Sequence, residues 1–110
     1  MKRWLIAAAL AAVCTSATAA ELRIRNQSLW DIHYLYLSST NDPNWGPDQL
    51  ESDILEAGGT LRLHGVSCGN YDIKLIDEDS DVCEMRNVRL CGDKVWTITS
   101  EALLECQNRR

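Results

Sequence analysis

Three aspartates alternate in one short stretch, and their spacing could serve calcium binding. Asp77, Asp79 and Asp81 stand at every second position, and carboxylate oxygens are ligands that Ca²⁺ takes in proteins. An EF-hand loop that began at Asp77 would need glycine at its sixth position and glutamate at its twelfth, where Val82 and Val88 stand. The match fails, so the pattern favours a solvated hairpin turn, with a loose calcium site as the alternative.

A tryptophan in a polar loop is the second candidate. Trp45 lies between Asn44 and Gly46 in the loop 39–47, and Asp48 follows that loop. An indole in this setting could stack on a sugar ring or anchor a protein partner, since aromatic side chains dominate interface energetics. It could also fold back and cover the protein's own core. We treat Trp45 and Asp48 as candidate binding residues, with packing as the alternative for Trp45.

The sequence offers little for catalysis. It contains two histidines, His33 and His64, and neither a G-x-S-x-G nor an H-E-x-x-H motif. Asp31 and Asp72 could be proposed as an acid–base pair, but a chain with 16 acidic residues produces such pairs by chance. We therefore expect no enzyme activity, no catalytic residues and no cofactor.

Four cysteines stand beyond the first 20 residues, with spacings of 15, 8 and 15 residues: Cys68, Cys83, Cys91 and Cys106. An even number is typical of structural disulfides in an oxidising compartment. Zinc is disfavoured because four-ligand structural sites use closely spaced cysteine pairs. We predict two disulfides, each adding roughly 3 kcal/mol to stability. The spacing alone leaves all three pairings open.

The first 20 residues have the organisation of an export signal. Met1-Lys2-Arg3 is positively charged, residues 4–13 form an apolar run of ten, and Ala17-Thr18-Ala19 has the small residues that a signal peptidase recognises. A membrane helix takes about 20 apolar residues, so the run is too short to be one. We predict a signal peptide at 1–20 and a periplasmic or secreted protein without a membrane span.

An acylated lipoprotein is the competing interpretation of this region. Cys14 would carry the lipid, but the preceding Ala11-Ala12-Val13 lacks the leucine and the small residue that such a site uses. We therefore expect one disulfide-stabilised domain over residues 21–110, a length typical of a single small core.

The charge balance bears on the partner. Of the 11 basic residues two lie in the first 20, and all 16 acidic residues lie beyond them, so residues 21–110 carry a formal charge of −7. Nucleic acid is an improbable partner, because binding a polyanion needs a basic face. Negative charge instead speeds encounter with a basic protein.

Strands must position these residues, because polar and apolar side chains alternate with a period of two along the chain. Short strands with a turn about every 8–12 residues predict an all-β fold, a small antiparallel β-sandwich of about 6–7 strands. The predicted strands cover residues 22–25, 29–38, 61–64, 71–76, 82–90 and 95–100. Large apolar groups on both faces of strand 29–38 indicate a central strand, with Ile32, Tyr34 and Tyr36 on one face.

Three shorter segments complete the pattern. Asp48 could cap a single helical turn over residues 49–55, and the tail 101–110 could contain another. Asn26-Gln27-Ser28 fits an N-glycosylation sequon, but these residues are interpreted as a turn.

At Trp45-Gly46-Pro47-Asp48-Gln49-Leu50 the chain resembles a group of small exported bacterial β-sandwich proteins of unknown function. The group combines a tyrosine-rich strand, a W-G-x-D-x-L loop, a glycine turn, a C-x-[YF]-D strand and a second cysteine. The other corresponding residues here are Leu35-Tyr36-Leu37-Ser38, Ile54-Leu55-Glu56-Ala57-Gly58, Cys68 with Tyr71-Asp72-Ile73, and Asn87-Val88-Arg89-Leu90-Cys91. The resemblance covers residues 24–91 and implies fold and export rather than an activity.

The chain departs from the group in two places. Members have Asp-Gly where Asp79-Ser80-Asp81 stands, and Cys83 and Cys106 are additions. If the group's two cysteines pair with each other, the resemblance implies the disulfide Cys68–Cys91 and, for the added cysteines, Cys83–Cys106.

Together these features predict an exported, non-catalytic binding protein of unknown ligand. One alternative is an acidic inhibitor or immunity-type protein against a basic wall-degrading enzyme or toxin such as lysozyme, with loop 38–48 or loop 77–81 entering the enzyme's cleft. Another is a calcium- or glycan-binding surface module, which would use the three aspartates or Trp45.

Overall fold

The computed structural model describes residues 21–108, which form six β-strands and one α-helix. The strands are β1 (Glu21–Gln27), β2 (Ile32–Ser39), β3 (Thr60–His64), β4 (Gly69–Asp77), β5 (Val82–Leu90) and β6 (Val95–Thr99), and the helix is α1 (Ser100–Asn108). No helix in this part of the chain is long and apolar enough to cross a membrane. The predicted signal peptide and Cys14 lie outside the described residues.

Two three-stranded sheets form the sandwich. The first has the strand order β3-β1-β6 and the second the order β2-β4-β5. The prediction of an all-β sandwich is confirmed, with one correction: β1 and β6 run parallel, whereas the other three strand pairs are antiparallel. β6 joins the first sheet after β5 has ended in the second, so no hairpin forces it to run against β1.

Side chains from both sheets and from α1 share one hydrophobic core. Its apolar members with at most 1% exposure include Leu22, Ile24, Ile32, Leu35, Ile73, Leu75, Leu90, Ile98 and Leu103. Trp30 and Trp96 are partly buried and pack against it. The alternating apolar residues of the sequence are therefore the residues that hold the two sheets together.

β2 differs from its prediction in three respects. It begins at Ile32 instead of residue 29, and it lies at the edge of its sheet instead of the centre. A bulge after Ile32 shifts the register, so Ile32 and Leu35 are both buried while Tyr34 is 45% exposed. The loop that follows β2 covers its edge, where Leu55 and Ile32 exchange two backbone hydrogen bonds of 2.9 Å. This cover pairs backbone groups at the edge of β2 that would otherwise be open to another strand.

The prediction of a helical turn over residues 49–55 is wrong, because Leu55 forms a β-bridge with Ile32 and residues 49–52 form turns. Asp48 still caps them, because its Oδ1 accepts 3.0 Å hydrogen bonds from the backbone N–H groups of Leu50 and Leu35. These bonds fasten the segment to β2 and offer its backbone an alternative to helix formation. The helix of the described residues lies in the tail, where Leu103 is fully buried.

Asn26 is a fully buried residue of β1 and not part of the predicted turn. Its Nδ2 donates to the carbonyl oxygens of Trp30 at 2.8 Å and Leu55 at 3.0 Å. Its Oδ1 accepts from the backbone N–H of Ser28 at 3.0 Å and from the Ser28 hydroxyl at 2.6 Å. All four hydrogen-bonding positions of the amide are used, so the sequon nitrogen is inaccessible in the folded protein.

We expect Asn26→Ala to lower the free energy of unfolding by roughly 2–3 kcal/mol, since two buried carbonyl oxygens and the Ser28 groups lose their partner. Urea denaturation measures the loss. Gln27→Ala, at the exposed neighbouring position, is the control and should change stability by less than about 0.5 kcal/mol. Similar losses for the two variants would contradict the role given to the buried amide.

Both implied disulfides are present, Cys68–Cys91 and Cys83–Cys106, and each spans 23 residues of sequence. Cys68–Cys91 joins the chain just before β4 to the chain just after β5, next to the paired residues Gly69 and Leu90. Cys83–Cys106 joins β5 to α1, and both of its residues are buried. The two bonds therefore close loops of equal length and differ in burial.

This difference predicts unequal stabilities. Equal loops give equal restraint of the unfolded chain, about 3 kcal/mol for each bond, so Cys68→Ala/Cys91→Ala should cost about that amount. Cys83→Ala/Cys106→Ala should cost about 1–2 kcal/mol more, because two buried sulfur atoms also leave the core. Urea unfolding of the two double variants makes the comparison, and equal midpoints would contradict it.

Candidate functional site

The outer face of the β2-β4-β5 sheet carries alternating aromatic and cationic side chains. The Lys74 Nζ lies 5.2 Å from the ring centre of Tyr36 and 5.3 Å from that of Trp45, and the Arg86 Cζ lies 5.4 Å from the Trp45 ring. These distances are within the range of cation–π attraction. Tyr34 lies parallel to Tyr36, with ring centres 6.3 Å apart. Trp45 is thus fixed over the outer face of this sheet.

Strand pairing brings these groups together. Tyr36 of β2 is paired with Lys74 of β4, and Lys74 is paired with Glu84 of β5. Paired residues of neighbouring strands project to the same side of a sheet. Arg86 follows Glu84 by two positions, so it projects to that side as well.

Asp72 anchors the cationic side of this arrangement. It is 6% exposed, and its Oδ1 accepts a 3.0 Å hydrogen bond from the backbone N–H of Asn87, while its Oδ2 accepts one of 3.0 Å from Nη1 of Arg86. The Arg86 Nη2 donates to Glu84 at 2.7 Å. The Asn87 N–H, aided by the Arg86 guanidinium, holds the pKa of the Asp72 carboxyl below its usual value against the opposing effect of burial.

The bond to Asn87 requires a bulge between β4 and β5. The register shifts between Tyr71 and Ile73, so Asp72 faces both Arg86 and Asn87. Asn87 has a φ of 61°, the left-handed region that asparagine tolerates better than most residues. The bulge turns the Asn87 N–H towards the Asp72 carboxylate and determines the direction in which the Arg86 side chain projects.

The loop that carries Trp45 has a defined shape. The hydroxyl of the buried Ser38 donates one hydrogen bond that is shared between two carbonyl oxygens. Its Oγ lies 2.7 Å from the oxygen of Asn44 and 3.0 Å from that of Asp42. The Asp42 Oδ1 accepts from the backbone N–H of Asn44 at 2.9 Å, which closes an Asx-turn. Gly46 follows at a φ of 73°. The backbone that precedes Trp45 is therefore held in a fixed shape.

A cleft of about 540 Å³ lies between this loop and the bulge. Its lining includes Ser38, Thr40, Asn41, Asp42, Trp45 and Arg86. Trp45 is half-buried, and the three residues from Thr40 to Asp42 are exposed. The cleft thus combines part of an indole with a hydroxyl, an amide and a carboxylate, which suits the binding of a small polar ring.

The acidic turn, residues 77–81, lies at the other end of the β2-β4-β5 sheet. Asp77, its first residue, is paired with Ile32, whereas Asp72 beside the cleft is paired with Ser38. The carboxylate oxygens of the three predicted ligands do converge, within 4.8 Å of one another. Ile32 and Ser38 lie at opposite ends of β2. The acidic turn is therefore separate from the Trp45 cleft.

The buried carboxylate of Asp77 is already engaged. Its Oδ1 accepts from the backbone N–H groups of Asp79 at 2.9 Å and Asp81 at 3.0 Å, and its Oδ2 accepts from Gln107 Nε2 at 3.0 Å. The neighbouring Glu78 accepts from the backbone N–H of Asp31 at 2.8 Å. These bonds give Asp77 a structural role, because they close the turn and connect it to α1. The calcium site stays a prediction.

The remaining candidates are dispersed. Asp48 holds a turn at the edge of β2, as described above. Asp31 accepts a 2.9 Å hydrogen bond from the backbone N–H of Ala57 and precedes β2, whereas Asp72 lies across from the far end of that strand. The two carboxylates considered for acid–base chemistry are therefore not neighbours. His64 lies 3.6 Å from Glu21 on the other sheet.

Sequence reasoning identified Trp45 but missed its cationic partners. Lys74 and Arg86 lie at outward positions of strands that were located correctly, so alternation contained a signal for them. Assigning them to one site also required the pairing of β4 with β5 and the bulge at Asn87, and neither has a local sequence signature. The chain matches no family model, no curated protein and no solved structure.

We predict that Asp72 stabilises the fold at neutral pH and not in acid. Its pKa is lower in the folded protein than in the unfolded chain, so its contribution is fully present above the unfolded value of 3.8 and is lost as the pH falls through the folded value. Asp72→Asn should lower the Tm at pH 7, and this difference should shrink below pH 3.8. Thermal melts followed by circular dichroism from pH 7 into acid measure both effects.

Glu84→Gln is the matched control, because Glu84 also accepts from Arg86 but is exposed. It should lower the Tm at pH 7 by less than Asp72→Asn does. A Tm difference for Asp72→Asn that persists unchanged in acid would refute the electrostatic account of this carboxylate.

Proposed function

We propose that this chain is a non-catalytic binding protein of the periplasm or the extracellular space, and that its ligand is an uncharged glycan bound at the Trp45 cleft. The observation that carries the proposal is the position of Trp45. Its indole is held 5.3 Å from Lys74 and 5.4 Å from Arg86 at the wall of a cleft of about 540 Å³. The two disulfides support folding in an oxidising compartment outside the cytoplasm.

A sugar ring fits the chemistry of the lining. One face of a pyranose is apolar and packs on an aromatic ring, while its hydroxyls both donate and accept hydrogen bonds. The half-buried indole of Trp45 supplies the flat surface. Thr40, Asn41 and Asp42 supply a hydroxyl, an amide and a carboxylate around it. The volume lies within the range of small-ligand sites, about 300–1,000 Å³.

The absence of charge on the ligand follows from the ion pairs in the cleft. The Arg86 guanidinium already donates to Asp72 and Glu84, so an anion would have to compete with two carboxylates for it. The Asp72 oxygens each accept a hydrogen bond, so a cation would compete in turn with Arg86 and the Asn87 N–H. An uncharged ligand can use the remaining groups without breaking these pairs.

The geometry of the loop supports binding without rearrangement. Ser38 and the Asx-turn at Asp42 fix the backbone on one side of Trp45, and the cations Lys74 and Arg86 hold the ring itself. A site that is ordered before its ligand arrives avoids the entropy cost of ordering it on binding.

Calorimetric titration with two uncharged oligosaccharides, the trimer of N-acetylglucosamine and cellotriose, tests the proposal. We expect saturable binding of at least one of these sugars, and an affinity at least tenfold lower for Trp45→Ala, which is about 1.4 kcal/mol for the lost stacking surface. Asp79→Asn/Asp81→Asn changes the remote acidic turn and should bind as the original chain does. No binding to either sugar, or equal affinity of Trp45→Ala, would reject the proposal.

A second function, inhibition of a basic wall-degrading enzyme, is favoured by the acidic turn. Asp77 holds the turn in shape through its bonds to Asp79 and Asp81, while Asp79 and Asp81 themselves are exposed. A preformed negative projection away from the cleft could enter the substrate groove of such a basic enzyme.

Lysozyme kinetics separate this function from glycan binding. If the turn inhibits, a stoichiometric excess of the protein should slow lysis of cell-wall substrate at low salt, and the effect should weaken as salt is raised. Asp79→Asn/Asp81→Asn should relieve the inhibition, whereas Trp45→Ala should not. Unchanged lysis rates in the presence of excess protein would remove this candidate.

A further inference from the structure

The outer face of the β3-β1-β6 sheet is basic, although the chain as a whole is acidic. Alternation turns Arg23 and Arg25 of β1 outward, and it does the same for Arg62 and His64 of β3. All four are exposed. We call these four residues the basic face. Since residues 21–110 carry a formal charge of −7, the strands have gathered the positive charge of three arginines on one side of a negative molecule.

Two of the arginines face each other directly. Arg23 is paired with Arg62 across β1 and β3, an arrangement of like charges that destabilises a sheet. The Glu21 carboxylate lies 4.0 Å from Nε of Arg23, 3.5 Å from Nε of Arg62 and 3.6 Å from Nε2 of His64. Within residues 21–108 it is the one carboxylate within 4.0 Å of either arginine. One acid therefore serves two guanidinium groups, and the face keeps an excess of positive charge.

Arg25 lies between hydroxyl groups. It is paired with Thr60 of β3 on one side and Thr97 of β6 on the other, and no carboxylate of the described residues lies within 4.0 Å of its guanidinium. A guanidinium flanked by hydroxyls can hold phosphate oxygens, because the guanidinium offers paired N–H donors and the hydroxyls add further ones.

We propose that the basic face binds the anionic headgroups of a phospholipid bilayer. The site is independent of the Trp45 cleft, which lies on the outer face of the other sheet. The charges are complementary, and the phosphate groups of the headgroups match the arginines and the threonines beside Arg25.

A planar surface fits this face better than a flexible polyanion. The outward positions of β1, β3 and β6 hold no tryptophan, tyrosine or phenylalanine, whereas sites for single-stranded nucleic acid combine positive charge with stacking aromatics. A long chain that wrapped around the protein would meet the carboxylates of the other sheet. A bilayer touches one face only, and those carboxylates lie about 10 Å or more behind it, beyond the Debye length of about 8 Å at physiological salt.

Vesicle flotation tests this inference with the oxidised protein. We expect it to float with vesicles of phosphatidylglycerol and phosphatidylcholine in equal amounts at 20 mM salt, less at 300 mM, and not with phosphatidylcholine alone. Arg25→Gln and Arg62→Gln should each lower the bound fraction at least threefold. Arg89→Gln, which removes the same charge from an exposed position on the other sheet, should bind as the original chain does.

The other outcomes are equally decisive. Equal flotation with both kinds of vesicle, or equal loss for Arg25→Gln and Arg89→Gln, would overturn the inference. So would binding of free polyphosphate by an Arg25-dependent surface without any flotation, which would assign the face to a flexible polyanion. Trp45→Ala should float normally, so failure of glycan binding and failure of membrane binding are distinguishable.

Discussion

The nearly buried carboxylate of Asp72 determines how the side chains on the outer face of the β2-β4-β5 sheet are arranged. Removing the charge of Asp72 from water is unfavourable unless its oxygens are hydrogen-bonded, and the fold supplies a backbone N–H from Asn87 and the guanidinium of Arg86. Satisfying the first donor requires the bulge, and the second fixes Arg86 beside the ring of Trp45. The position of the Trp45 indole therefore depends on the charge of Asp72, a residue that lies far from Trp45 in the sequence.

Alternation in the sequence was sufficient to locate the strands, because inward residues must be apolar wherever two sheets share a core. It also placed Trp45 in the loop that forms the cleft. It was insufficient for β2, whose edge position is concealed by the hydrogen bonds to Leu55 and by a bulge after Ile32. Pairing between strands and the use of an amide such as Asn26 as a core residue depend on distant parts of the chain. No window of neighbouring residues contains that information.

Composition and distribution of charge give different expectations for partners. A net negative chain argues against polyanions when its charges are mixed over the surface. Here the same alternation that buries Leu22 and Ile24 sends Arg23 and Arg25 to one outer face, while the acidic turn and the Trp45 cleft belong to the other sheet. The two sides of the sandwich thus present different chemistry, and a partner of one side need not compete with a partner of the other.

The two disulfides overlap in the chain, and this overlap has a consequence for proteolysis. The bond Cys68–Cys91 encloses β4 and β5, and Cys83–Cys106 begins within β5. A single backbone cut at any point between residues 68 and 106 leaves both fragments covalently joined, because at least one bond bridges every such cut. A cut between residues 28 and 59 separates the described chain into two pieces held together by noncovalent contacts alone. Nicking of the loop that carries Trp45 would therefore release fragments on denaturation, whereas nicking of the acidic turn would be invisible until the protein was reduced.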